Sequence, residues 1–126
     1  MSFSNTFETA VLNWALTNGA VTRPTAWYVG LYTSDPTDAG TGTEVSGGGY
    51  AREAVTFTVT GNEATNSGVI EFDAATAPFG TVTHVAVLDA LTGGNIITHG
   101  ALSASKAIGT GDIFRIAAGD LDVTLD

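Results

Sequence analysis

Two spacing rules divide this chain. Near its start, the apolar residues Phe3, Phe7, Val11 and Trp14 recur at intervals of four, four and three. That spacing sets them on one face of a helix, and Leu12 and Leu16 read as widening it. Asn5, three residues before Glu8, has the form of a weak capping box, and Asn18-Gly19 supplies a stop. The pattern predicts an amphipathic helix over residues 4–18. Arg23-Pro24 then marks a boundary, because proline disfavours helix in the residue before it.

Beyond that point the period shortens to two. Trp27 to Thr33 is aromatic and β-branched, and Val55, Phe57 and Val59 alternate with Thr56 and Thr58, as in a half-buried strand. Val69 to Phe72, Val82 to Leu88, Ile96 to Leu102, Ile113 to Ala117 and Leu121 to Leu125 supply further strands. Gly93-Gly94 separates two of them and predicts a hairpin. Ala118-Gly119-Asp120 turns between the last two. About seven strands at spacings of roughly ten residues predict a mainly β protein: an antiparallel, jelly-roll-like β-sandwich preceded by one helix. The helix must bury its Phe/Trp face, and packing on the sandwich is favoured over packing on a partner subunit. The stretch from Thr33 to Gly49 reads as one long loop. Loops beyond ~12–15 residues are uncommon and often mark an interaction site.

Size and charge narrow the picture. A chain of 126 residues makes one domain, with the helical part over 1–19 and the sandwich over 26–126. Charged residues are 13% of the chain, against about 25% in a typical domain. Such a surface suits partial cover by neighbours. Thirteen acidic residues oppose four basic ones, for a net charge of -9, which repels phosphate backbones. The four bases, Arg23, Arg52, Lys106 and Arg115, are scattered, so no basic stripe forms and a nucleic-acid partner is disfavoured. The absence of cysteine excludes disulfides, thiolate catalysis and cysteine zinc sites. The first eight residues lack the basic and apolar regions of a signal peptide. No run approaches the ~18 apolar residues of a membrane span. The expectation is a soluble chain made in the cytoplasm, with no membrane partner.

Candidate chemistry is thin. Asp35, Asp38 and Glu44 share the long loop, but without EF-hand spacing and short of the six to eight oxygens calcium takes. Asp35-Pro36-Thr37-Asp38 reads as a turn in which Asp35 accepts backbone donors. His84 and His99 could approach if their strands pair. Two histidines without a third ligand make a poor zinc site, so both read as hydrogen-bonded or solvent-facing strand residues. Gly47-Gly48-Gly49 lacks the Lys-Ser/Thr of a phosphate loop and reads as a turn or a close backbone approach. Glu71 and Asp73, two apart, share a strand face as a carboxylate pair could, yet so acidic a chain produces such pairs readily. Arg52-Glu53 reads as a strand-edge charge pair. Arg115, between Phe114 and Ile116, should face away from both. Tyr28, Tyr32 and Tyr50 could stack on sugars but read more simply as core or interface residues. No set of residues forms a catalytic, metal or cofactor site, and the expectation is a non-enzymatic protein.

Five segments, taken in order, resemble one family. They are Phe3 to Trp14, Trp27-Tyr28-Val29-Gly30-Leu31-Tyr32-Thr33-Ser34-Asp35-Pro36, Gly49-Tyr50-Ala51-Arg52, the stretch Val82 to Val85 with Asp89 to Asn95, and Ala118 to Leu125. Together they resemble small virion proteins of tailed bacteriophages, the tail-fibre-like or capsid decoration group. The resemblance implies a virion structural protein without a cofactor, forming oligomers, commonly trimers. Compactness, with neither heptads nor a collagen repeat, and acidic charge favour a capsid decoration (cement) protein bound to the major capsid protein on the outer shell. The alternatives are a tail or tail-fibre-associated component bound to tail proteins and, from another class, a glycan-binding module. The interface candidates are Phe3, Phe7 and Trp14 on the helix, Asp35, Asp38 and Glu44 in the loop, then Tyr50, Arg52 and Arg115.

Overall fold

The computed structural model describes residues 1–125; position 126, the last of the expected sandwich, lies outside them. The described residues form one helix and ten strands. In order these are β1 (Ser2–Phe3), α1 (Asn5–Leu16), β2 (Tyr28–Tyr32), β3 (Glu53–Ala54), β4 (Phe57–Thr60), β5 (Glu63–Asn66), β6 (Ile70–Glu71), β7 (Gly80–Leu88), β8 (Ile96–Ile108), β9 (Arg115–Ile116) and β10 (Asp122–Thr124). All pairings are antiparallel. A five-stranded sheet runs β1-β8-β7-β2-β3, a three-stranded sheet β10-β5-β4, and β6 pairs with β9.

Side chains alternate across a strand, and this sets the layers. Val29 and Leu31 of β2 and Val85 and Val87 of β7 point into the main core. Their alternates Tyr32, Ala86 and Leu88 point the other way and form a second cluster against Ile96. Strand β2 and the second half of β7, Val85 to Leu88, are therefore covered on both faces, which is why they read as nearly continuous apolar runs. The main core is closed by aromatic rings. Tyr50 stacks on Phe72 at 6.1 Å and meets Phe79 edge-on at 5.7 Å, and Phe72 meets Phe114 edge-on at 5.8 Å.

The mainly β architecture and its single N-terminal helix are those the pattern predicts, and β7 and β8 pair as the expected hairpin. The strand count differs: ten rather than about seven. The three additional strands are β1 and β3, each two residues long, and β5, Glu-Ala-Thr-Asn, which carries no apolar period. Strands β9 and β10 do not pair with each other across Gly119; their partners are β6 and β5.

The helix is shorter than predicted and differently capped. Ser4 is the N-cap: its Oγ accepts from the Phe7 N–H at 3.2 Å and donates to the Ile96 carbonyl. Thr17 ends the helix by donating its hydroxyl to the Asn13 carbonyl at 2.7 Å. The segment from Thr33 to Gly49 is no free loop. Val45 N–H donates to the Leu31 carbonyl and Thr33 N–H to Thr43, Tyr32 bridges Glu44, and Pro36 is buried. Asp35 Oδ1 accepts from the Thr37 N–H at 2.9 Å, the turn its sequence predicts. Gly48 must be glycine: its φ is +62°, and a Cβ there would lie 2.5 Å from the Ala77 carbonyl oxygen.

Candidate assembly surface

Three of the interface candidates meet in an internal clamp. The Arg52 guanidinium donates to both Glu44 carboxylate oxygens, Nε to Oε2 and Nη2 to Oε1, each at 2.8 Å. Its Nη1 donates to the carbonyls of Ala90 and Gly93 at 2.7 and 2.8 Å. Tyr50 hydroxyl donates to Glu44 Oε2 at 2.6 Å and accepts from the Leu31 N–H at 3.0 Å. The clamp thus finishes the edge of β2 where β3 ends and fastens the β7–β8 hairpin loop. Gly30 leaves it room, since a Cβ there would lie 3.0 Å from Glu44 Oε2. Burial pushes the Glu44 carboxyl up, but the hydrogen bonds from Arg52 and Tyr50 outweigh it and hold the group below its ordinary value. Burial, then the bond to Glu44, pushes the Tyr50 hydroxyl up, so it stays a donor. Arg52 therefore pairs with Glu44, not with neighbouring Glu53. A planar fork matches a carboxylate that faces it, and adjacent residues of an extended chain point to opposite sides.

A second cluster pins the loop to the N-terminal segment. His99 Nε2 lies 2.8 Å from Asp38 Oδ1, and Ser2 Oγ donates to the same oxygen at 3.0 Å. Asp38 carbonyl accepts from the Asn5 N–H. The pairing of β7 with β8 does bring the histidines together: Asp35 Oδ1 is 3.7 Å from His99 Nδ1 and 4.0 Å from His84 Nε2. The hydrogen bond from His99, then that from Ser2, holds the Asp38 carboxyl below its ordinary value. Arg115 faces away from buried Phe114 and lies, exposed, 4.0 Å from Glu71. Asp73 lies beyond the end of β6, so it does not share a strand face with Glu71. Tyr32 is buried, and Tyr28 and Tyr50 are half-buried, so none of the three offers an open stacking platform.

The helix is different. Not one of its twelve residues is buried. Phe7 and Val11 are half-covered, with Phe7 stacked on Phe3 at 5.1 Å, while Trp14 is 68% exposed. Between α1 and the three-stranded sheet runs an open apolar groove of about 520 Å³. Phe7, Val11 and Trp14 line one wall, and Phe57, Val59 and Leu125 the other. Leu12 and Leu16 do not widen the groove face. At about 100° per residue they sit roughly 140–180° around the helix from Phe7, and they are 58% and 76% exposed. The helix is apolar on two opposite sides. Val59 and Leu125 fall in segments that read as strands, but nothing in the sequence says that they face α1.

A β-rich body that spends its charged clusters on internal fastening, yet leaves an apolar groove and helix in the open, has the build of an assembly module. The chain belongs to the family described as podophage GP4 fiber I protein gp80, whose model matches residues 2–124. No curated protein matches the sequence significantly.

Proposed function

We propose that this chain is a non-enzymatic structural module of the phage fibre apparatus, attached to tail proteins and to copies of itself through α1 and the groove beside it. It uses no cofactor and contacts neither nucleic acid nor membrane. The observation that carries the reading is the exposed apolar helix face, since large apolar patches on small proteins mark interaction sites. The description of the family as a fibre protein supports the tail position. Capsid decoration is the second reading. It is supported by the compactness of the described residues, which form short strands and one twelve-residue helix, and by the net charge of -9, which suits a place outside the shell, away from packaged DNA.

Gold labelling of an epitope-tagged chain in assembled virions tests this. Label on the tail or its fibres is the expected result. Label spread over the head would replace the fibre reading with decoration, and virions free of label would end both.

A further inference from the structure

We infer that α1 binds a second copy of this chain head to tail, with the Leu12–Leu16 ridge of one copy lying in the groove between α1 and the three-stranded sheet of the next. The inference rests on the reading of the chain as an assembly module and names the occupant of its open surface.

Four observations lead there. The first is that α1 carries apolar residues on opposite sides while its own subunit fully buries none of them and only half-covers Phe7 and Val11. Apolar residues left in water on two faces of a helix mark surfaces that a partner covers, and a helix of twelve residues is marginal in water by itself. The second is shape. Leu12 and Leu16 are one turn apart and form a ridge, and the groove offers apolar walls on both sides. One molecule therefore carries both the projection and the hollow.

Charge is the third. The chain carries -9, yet Glu8 is the only charged residue of α1 and Glu63 the only one lining the groove among the described residues. Two copies meet with least repulsion at this face, and a basic partner would find little there to attract it. The fourth is area. A contact of this kind uses both patches, and the exposed parts of Leu12, Trp14, Leu16, Val59 and Leu125 amount to roughly 600 Å² of apolar surface. That is about half the ~1,200 Å² total of a small stable interface before any polar rim is added.

Because ridge and groove lie on opposite sides of one helix, each copy uses different surfaces toward its two neighbours. Such heterologous contacts close into rings of three or more or run on as filaments.

Sedimentation velocity of the full chain over a concentration series tests the inference. Three or more copies per particle, or filaments, are expected. Leu12→Gln with Leu16→Gln keeps good helix formers and should weaken association about a hundredfold or more by removing two buried leucines from the contact. Trp14→Gln should do the same from the groove side. Each variant should retain the wild-type circular dichroism, and mixing the two should restore a one-to-one dimer, since one intact ridge then meets one intact groove. A monomeric or strictly dimeric wild type, unchanged association of the ridge variant, or a mixture that stays monomeric would each overturn the inference. A monomer that still takes its place on virions would sink this contact and leave the structural reading standing. An oligomer missing from virions would do the reverse.

Discussion

Strand β2 and helix α1 are both rich in apolar residues, and they meet opposite fates. In β2, Val29 and Leu31 are wholly out of water and Tyr32 nearly so. In α1 no residue is buried, and Trp14 and Leu16 stand mostly in solvent. Composition does not explain the contrast; position does. β2 lies inside a sheet, with β7 on one edge, β3, the Tyr50–Glu44 clamp and Val45 on the other, the aromatic core beneath and the cluster around Ile96 above. α1 is held at its start, where Ser4 reaches Ile96 and Ile97, and touches the sheet at β8. An element surrounded by its own chain has its stability settled within the fold. One held at a single end depends on whatever arrives from outside.

Four experiments would break or sharpen that contrast. Arg52→Leu should have the largest effect. It strands the Glu44 carboxylate and frees the Ala90 and Gly93 carbonyls, and breaking so enclosed a pair costs about 3 kcal/mol. Denaturant unfolding measures it, and a loss under about 1 kcal/mol, the scale of an exposed pair, would show that the clamp is dispensable. Tyr50→Phe keeps the ring packing but removes the acceptor for the Leu31 N–H and the donor to Glu44. It should cost about 1–3 kcal/mol and speed hydrogen exchange at the Leu31 amide.

Ser4→Ala removes the helix cap, at about 1 kcal/mol. Its effect should stay local: faster exchange of α1 amides, with β2 and β7 unmoved. Equal loosening of β2 would mean that the two regions open as one unit and that the contrast is one of exposure only. Asp38→Asn should change least, since the side chain is largely solvated and screened. The folded Asp38 carboxyl titrates below its ordinary value of 3.8. Its contribution is therefore present above that pH and lost as pH falls through the folded value. The variant should flatten that acid limb of a stability–pH profile, and an unchanged limb would remove Asp38 from it.

What the sequence discloses follows the same division. β2, β7 and the β7–β8 hairpin are legible because double-sided burial and a glycine turn leave marks inside a few residues. Strands β6 and β9 show as the short apolar runs Val69 to Phe72 and Ile113 to Ala117, but β1 and β3 leave no mark, because each exists only where a partner passes: Ser2 is paired to His99 across more than ninety positions of chain. The helix is legible as a helix, but its cap is not, since what singles out Ser4 is Ile96. Glu44, Tyr50 and Arg52 each stand out in the sequence as interface candidates, but Arg52 reads there as the partner of Glu53, and the inward aim of all three depends on the fold of the loop. Phe3, Phe7 and Trp14 do line the groove. Leu12 and Leu16 belong on the reverse face by helix angle alone; apolar character without angle puts them on the groove side.

The pairing of β1 with β8, Ser2 opposite His99 and Phe3 opposite Thr98, also sets a timetable. Ribosomes deliver about 5–20 residues per second, so the first strand waits roughly 5–20 s for its partner to be made. Through that interval Phe3, Phe7 and Trp14 have no sheet to lean on. In an infected cell many nascent copies would share that condition, with sticky leading segments close together on one messenger. The segment of β1 and α1 is made well before β8 and is among the last to find its place, and that delay is when wrong pairings between copies are easiest to make.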